Sequence, residues 1–194
     1  MIYLDNASTT PICDAAKKTI INHLNDFGNP SSTYAIGSVA KRLIENARER
    51  IANCINANPN EIYFTSGGSE ANSLALMGRS RFTSLIEHHS VTTNYGFCVN
   101  ENGVVDPEYV EAVIGRYLGK KTYCMPEVIS CMTVNNEIGT IQPIKQLANI
   151  AHDNGLLFHT DAVQAIGHMA INVKNLDVDM LSASGHKFGA PKGI

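Results

Sequence analysis

The feature that most constrains the fold of this chain is a recurring unit, in which a short apolar run ends in polar residues and a helical pattern follows. The clearest apolar runs are residues 62–64 (IYF), 128–134 (VISCMTV) and 156–158 (LLF). Strands that alternate with helices usually lie parallel, because each helix carries the chain back to the start of the next strand. The sequence therefore predicts an α/β fold with a mainly parallel sheet and helices on both faces.

The helices are predicted from apolar residues that recur at intervals of three and four and so share one helical face. These sets are Ala40, Leu43, Ile44, Ala47 and Ile51; Val110, Val113, Ile114 and Tyr117; and Ile144, Leu147, Ala148 and Ala151. Asp106 before Pro107 is typical of a helix start, and Gly155 of a helix end. A further helix is predicted from Glu70 to Met77.

Polar residues collect where the predicted strands end, which is the edge at which open α/β sheets bind ligands. They are Ser69, Asn136, Asp161, Gln164, Ser184, His186 and Lys187. Some have a simpler explanation, because Asn136 is also typical of a turn after a strand and Gln164 of a solvent-facing position.

The turn Ser66-Gly67-Gly68-Ser69, between a predicted strand and a predicted helix, has the composition of a phosphate site. Glycine lets the backbone approach closely, hydroxyl groups donate, and a helix N-terminus supplies free N–H groups. The turn matches neither GxxxxGKS/T nor GxGxxG, which disfavours a nucleotide-binding module. An ordinary strand-to-helix turn explains the same residues, so the turn alone does not identify a ligand.

Asp161, Lys187 and the triplet Glu87-His88-His89 are candidates for chemistry, each with a structural alternative. Asp161 can pair with a cationic ring nitrogen or cap the next helix. Lys187 can be a nucleophile if its amine is neutral, or an ordinary surface lysine. A histidine can stack on a flat cofactor or move a proton. Adjacent histidines on a strand point to opposite faces, so at most one should reach a shared site.

Taken together, these candidates are the parts of a pyridoxal-phosphate site. The set contains a phosphate cradle, an acid for a ring nitrogen, a stacking histidine and a lysine that can form a Schiff base. A metal site is not predicted, because no matching cluster of acids or cysteines accompanies the histidines.

Composition limits the partners. With 15 basic and 18 acidic residues, the net charge of −3 disfavours nucleic-acid binding through bulk charge. Neither a membrane-spanning helix nor a secretory signal is expected, because the long apolar run and the basic opening segment are missing. Five scattered cysteines without a CxxC pair favour a reducing, cytoplasmic compartment over a zinc ribbon or a disulfide framework.

The order of the motifs resembles that of the NifS-type cysteine desulfurases, within the class V aminotransferase group. The similar segments are residues 3–11 (YLDNASTTP), 27–32 (FGNPSS), 64–72 (FTSGGSEAN), 87–89 (EHH), 134–139 (VNNEIG), 159–164 (HTDAVQ) and 184–193 (SGHKFGAPKG). The resemblance covers the whole chain. It implies the large domain of the fold type I pyridoxal-phosphate enzymes, with residues 1–30 as an arm or small-domain segment and residues 31–194 as an incomplete cofactor-binding domain.

The resemblance also implies a role for each matching position. Lys187 would link covalently to pyridoxal phosphate, and His88 would stack on the ring and assist proton transfer. Asp161 would bind the ring nitrogen and Gln164 the phenolic oxygen, while Asn136 would contact the cofactor or the substrate carboxylate. The residues expected to hold the phosphate are Gly68, Ser69, Ser184 and His186.

The implied reaction converts L-cysteine to L-alanine and leaves the sulfur as a persulfide on a protein cysteine. The sulfur then serves iron-sulfur cluster or other sulfur-compound synthesis through a sulfur-acceptor or scaffold protein. Complete members of the family are homodimers, so a homodimer is expected for any active form.

Three departures from the family pattern qualify this expectation. The sequence stops at Ile194, seven residues past Lys187, whereas relatives continue for about as much chain again and carry their persulfide cysteine there. The stretch from Ser69 to His88 is shorter than in relatives, and Gly68-Ser69 stands where they usually have alanine and threonine. We therefore expect an incomplete, inactive chain. The alternatives are a non-catalytic cofactor-binding or partner chain, and another class V lyase such as selenocysteine lyase.

Overall fold

The computed structural model describes residues 2–93, 96–118 and 126–194, and for residues 117 and 118 the backbone only. The predicted place of Tyr117 on a helix face and the position of Cys124 therefore lie outside the described part. The helices are α1 (Asp14–His23), α2 (Ala35–Ile55), α3 (Gly68–Leu76), α4 (Pro107–Leu118), α5 (Ile144–Asp153) and α6 (Val173–Leu176). The strands are β1 (Arg81–Ser84), β2 (Gly96–Phe97), β3 (Val128–Ser130), β4 (Leu157–Asp161) and β5 (Met180–Ser182).

The strands form one five-stranded sheet in the order β2-β1-β3-β4-β5, and every neighbouring pair is parallel. The register sets Ser130 beside His159 and Asp161 beside Ser182. The predicted parallel sheet is confirmed. Because all strands run the same way, the segments that follow their last residues lie along a single edge.

Helices cover both faces of the sheet, as predicted. Consecutive strand residues point to opposite faces. Ile129 and Phe158 belong to the core cluster beneath α4 and α5, whereas Val128 and Leu157 pack with Leu76 of α3 on the other face.

Two of the predicted helices are confirmed in detail. All four apolar residues predicted on the face of α5 are buried. Gly155, at φ 70°, donates its N–H to the carbonyl of His152 at 2.9 Å and ends that helix. Asp106 caps α4, because its Oδ1 accepts from the N–H of Glu108 at 3.0 Å.

The predicted strand at residues 62–64 is wrong. The segment is extended but belongs to none of the described strands, and Tyr63 is 76% exposed. A strand needs a neighbour that takes its backbone hydrogen bonds. Here the guanidinium of Arg48 instead bonds the carbonyl of Ile62 and lies 5.0 Å from the centre of the Phe64 ring. The predicted strand at residues 128–134 is also shortened, to Val128–Ser130.

The apolar face of α2 is largely uncovered in this chain. The helix is present, but only Gly37 and Ala52 are buried along it. Ile51, near its end, lines an apolar groove of about 610 Å³ between the extended Phe64 segment and Leu181 of β5. Among the described residues, none of the helices has the length and apolar character needed to cross a membrane.

Candidate active site

A cavity of about 460 Å³ opens beyond the carboxyl ends of the strands. It contains every residue predicted to bind a cofactor or to act on a substrate, namely Gly68, Ser69, His88, Asn136, Asp161, Gln164, Ser184, His186 and Lys187. Other lining residues were not predicted, namely Asp5, Ala7, Ser8, Asn72, Met132 and Val163. Asn72 could have been predicted to line the cavity, because it lies one helical turn after Gly68 and therefore on the same side of the helix.

The glycine-rich turn provides a close approach to the start of α3. Gly67 adopts φ 147°, a backbone conformation that favours glycine. A Cβ on Gly68 would lie 2.8 Å from Cγ2 of Val163, so a side chain here would meet Val163. The first N–H groups of a helix have no intrahelical partner and are available to an anion. The turn thus has the geometry of a phosphate cradle.

Asp161 ends β4 and is only 4% exposed. Its Oδ1 accepts from the N–H of Val163 at 2.9 Å, and its Oδ2 accepts from Nδ2 of Asn72 at 2.8 Å. Asp161 therefore caps the turn that follows β4 and also lines the cavity, and its pairing with a ring nitrogen stays a prediction.

Lys187 is held by the N-terminal arm, here residues 2–13. Its Nζ donates to the carbonyls of Ala7 and Ser8 at 2.5 and 2.9 Å, and Nε2 of Gln164 donates to the same Ala7 carbonyl at 2.8 Å. Burial lowers the pKa of Lys187, while the charges of Asp5 and Asp161 oppose that change. A lowered pKa increases the neutral fraction of the amine, which is its nucleophilic form.

His186 precedes Lys187 and also contacts the arm. Its Nδ1 lies 3.0 Å from Oγ1 of Thr9, and its carbonyl accepts from both the N–H and the hydroxyl of Thr10 at 2.9 Å. Burial, then the charges of Lys187 and Lys192, lower the pKa of His186.

The strand placement of His88 and His89 is wrong, although the expectation that at most one of them reaches the site agrees with the cavity lining. They lie in a turn after β1 rather than on a strand, and their ring centroids are 3.9 Å apart. His88 lines the cavity, whereas His89 is not among its lining residues. Burial and the neighbouring His89 lower the pKa of His88, and Asp161 acts in the opposite direction.

Glu87, which belongs to this turn, is hydrogen-bonded to the end of β1 and to the segment after β3. Its Oε1 accepts from the N–H of Met132 at 2.7 Å and from the hydroxyl of Ser84, while Oε2 is buried and has no hydrogen-bond partner among the described residues. Burial raises the pKa of Glu87 to about 8, so the group is mainly protonated at neutral pH.

The described residues contain no cluster of three or more His, Cys, Asp or Glu side chains able to hold a metal ion. The described cysteines also lie away from the cavity lining. Cys13, Cys54 and Cys98 are exposed, and Cys131 is buried with its thiol pKa raised by burial.

The chain belongs to the class V aminotransferases, since the model of that family matches residues 2–194. Within this class it is similar to cysteine desulfurases. It is 41% identical to cysteine desulfurase IscS of Methanosarcina thermophila, over 99% of this chain and 51% of the relative. It is 40% identical to the putative cysteine desulfurase NifS of Bacillus subtilis, over 100% of this chain and 52% of the relative. The chain thus spans about half the length of these curated relatives.

Solved structures agree with the fold. A NifS-like protein from Rickettsia africae superimposes with a TM-score of 0.89 at 33% identity, covering 100% of this chain and 56% of that one. A structure described as SspA in complex with cysteine gives a TM-score of 0.87 at 32% identity, covering 100% and 59%. The predicted family and the predicted fold are confirmed, and the enzymes of this family depend on pyridoxal phosphate.

The residues present fit that cofactor. Gly68 leaves open the space that a Cβ would fill beside Val163, at the helix start where a phosphate is favoured. Asn72 lines the cavity, and its buried Oδ1 has no hydrogen-bond partner within the part of the chain that the structure describes, so this acceptor is available to a ligand group. The carboxyl group of Asp161, the amine of Lys187 and the imidazole of His88 also line the cavity, and this donor and acceptor set suits a phosphorylated pyridine aldehyde.

Proposed function

We propose that this chain is the cofactor-binding part of a cysteine desulfurase, with L-cysteine as substrate and L-alanine and a protein persulfide as products. One observation carries the proposal: Lys187, Asp161 and His88 line a single cavity together with the glycine-rich turn. The similar structure that holds cysteine supports this choice of substrate.

The proposed roles follow from the chemistry of each side chain. When bound, pyridoxal phosphate supplies an electron sink for negative charge at the substrate Cα. Asp161 pairs with the ring nitrogen, because a buried carboxylate favours a cationic partner. Lys187 supplies the amine that holds the cofactor, and its neutral Nζ can also accept a proton. His88 stacks on the ring and exchanges protons, and Gln164 hydrogen-bonds the phenolic oxygen.

The phosphate is held at the start of α3 in this proposal. Its ligands are Gly68, Ser69, Ser184 and His186, and Asn136 contacts the cofactor or the substrate carboxylate. We further propose that residues 1–30 act as an arm or small-domain segment and that residues 31–194 form the cofactor-binding domain. The hydrogen bonds between residues 7–13 of this segment and the loop at residues 186–189 fit this division.

The first prediction concerns cofactor binding. We expect the chain mixed with pyridoxal phosphate to develop the visible absorption band of a lysine-bound cofactor, and we expect Lys187→Ala to abolish it. The band is measured by absorption spectroscopy after removal of free cofactor.

The matched control is Lys192→Ala, which removes a lysine of the same loop that does not line the cavity. This variant should retain the band. A band that survives Lys187→Ala, or that disappears equally in both variants, would contradict the proposed role of Lys187.

The second prediction concerns turnover. No described cysteine lines the cavity, so a sulfur acceptor from outside the described residues is required. We expect the 194-residue chain with pyridoxal phosphate to release no sulfide from L-cysteine above the rate of free cofactor, even where it binds the cofactor. Sulfide release well above that background, lost in Lys187→Ala, would contradict this expectation.

The proposed partners of the complete protein are a sulfur-acceptor or scaffold protein and a second copy of the same chain. A cytoplasmic location, expected from the scattered cysteines, stays a prediction.

A further inference from the structure

Four side chains form a continuous hydrogen-bonded chain from the floor of the cavity to His88. Oδ2 of Asp161 lies 2.8 Å from Nδ2 of Asn72, and the same Nδ2 lies 2.9 Å from Oγ of Ser90. Oγ of Ser90 in turn lies 2.8 Å from Nδ1 of His88. Asp161 and Asn72 are almost completely buried, so water does not substitute for these contacts.

The direction of each hydrogen bond follows from what each group can donate. An ionised carboxylate only accepts, so the atom of Asn72 that faces Asp161 is the amide nitrogen. That nitrogen has two hydrogens, and the second points at Ser90. Oγ of Ser90 therefore accepts from Asn72, which leaves its own O–H free to donate to His88.

Nδ1 of His88 also accepts a hydrogen bond from a second donor. The backbone N–H of Ser90 lies 3.3 Å from the same Nδ1. A ring nitrogen that faces two donors must present its lone pair, and in a neutral imidazole the proton is then on the other nitrogen.

We propose that Ser90, oriented by Asn72, is a positioning residue that holds His88 in the tautomer with the proton on Nε2. Nε2–H is then the ring group that can donate a hydrogen bond to a ligand in the cavity. The part that His88 plays in proton transfer rests on the proposed function, but its tautomer does not. Protonation of a ring in this form has to occur at Nδ1, where it breaks the contact with the backbone N–H of Ser90 and requires the Ser90 hydroxyl to change from donor to acceptor.

Three neighbouring titratable groups shift the pKa of His88 through their charge. They are His89 in the same turn, Asp161 at the end of β4 and Lys187 in the loop after β5. Each of them shifts the pKa of the ring, whereas Ser90 contacts Nδ1 directly and therefore selects between the two neutral forms of His88.

The test is side-chain ¹⁵N nuclear magnetic resonance of the histidine-labelled chain without cofactor, with the His88 signals assigned from His88→Gln. We expect wild type to show a protonated Nε2 and an unprotonated Nδ1. Ser90→Ala should shift the ratio of neutral tautomers about 2- to 10-fold toward Nδ1–H, the effect of one hydrogen bond. Ser90→Thr keeps the hydroxyl group and should restore the wild-type pattern.

The matched control is Thr92→Val. Thr92 belongs to the same turn, but its hydroxyl bonds the backbone carbonyls of Glu87 and His88 rather than a ring. A change that is merely structural would appear in this variant too. Protonated Nδ1 in wild type overturns the inference without any variant, and so does an unchanged tautomer in a folded Ser90→Ala. Because no cofactor is present, either result is independent of whether the chain binds pyridoxal phosphate.

Discussion

Glu87 is a buried carboxyl group that the folded chain keeps mainly neutral at pH 7. Its pKa is raised to about 8 from an ordinary value of 4.5, chiefly because burial penalises the charge. Between these two values the unfolded chain has released a proton that the folded chain retains. The free energy of unfolding contributed by Glu87 is therefore fully present below about pH 4.5 and is lost as the pH rises toward 8.

His159 has the opposite dependence. It is buried between the hydroxyls of Ser130 and Ser182, and burial lowers its pKa to about 3 from 6.5. The unfolded chain takes up a proton that the folded chain excludes, so the contribution of His159 to stability is lost as the pH falls from 6.5 toward 3. Between about pH 4.5 and 6.5 the effects of Glu87 and His159 oppose each other.

The third prediction separates these two groups with Glu87→Gln. The amide oxygen can still accept from Met132 and Ser84, but the side chain no longer titrates. We expect the fall in unfolding free energy between pH 6.5 and 8 to disappear, and the acid-side fall due to His159 to become steeper between pH 4.5 and 6.5. Urea unfolding at a series of pH values measures both slopes.

Glu111→Gln is the control for that experiment, because Glu111 is an exposed carboxyl group on α4. It should leave the pH dependence of wild type in place. A Glu87→Gln variant with the wild-type slope on the alkaline side would show that Glu87 is already ionised in the folded chain.

Among the elements, α5 was the most predictable from sequence. Its apolar residues recur at helical spacing and all of them are buried against β3 and β4, so local pattern and tertiary packing agree. Residues 62–64 show the opposite case. An apolar run favours a strand, but a strand also requires a neighbour, and the run itself does not reveal which segment would pair with it.

The fourth prediction tests the packing of α5. Leu147 is fully buried in the main core, and Leu147→Ala should lower the free energy of unfolding by about 2–5 kcal/mol because it leaves a cavity. Gln146→Ala, at the exposed neighbouring position of the same helix, should change it by less than about 0.5 kcal/mol. Equal effects of the two variants in denaturant unfolding would mean that α5 does not pack as described.

For the whole molecule, the sequence was sufficient to predict that distant segments meet. Parallel strands end at one edge, so the polar residues that follow them had to converge, and all the predicted site residues line one cavity. The link from Asn72 through Ser90 to His88 was not predictable. It depends on how a turn after β1 faces α3, and no periodic pattern encodes the approach of two separate elements.

The fifth prediction uses the stability of the whole chain to test the phosphate cradle. A ligand that binds only the folded state stabilises it in proportion to the logarithm of its concentration. We expect pyridoxal phosphate at about 100 times its Kd to raise Tm by roughly 5–10 °C. Pyridoxal, which lacks the phosphate, should give a much smaller increase at the same concentration in a thermal melt. Equal shifts for the two compounds would argue against a phosphate site at Gly68 and Ser69.

The contact between the arm and the lysine loop also sets an order of events during protein synthesis. Lys187 bonds the carbonyl of Ala7, a partner 180 positions earlier in the chain. The arm leaves the ribosome before the strands do, and 180 further positions have to be synthesised before its partner exists. The strands and their helices can pack in the meantime, because their contacts span shorter stretches of chain. The side of the cavity that the arm lines therefore forms after the sheet. A nascent chain stalled before residue 186 would contain the sheet but not the complete cavity.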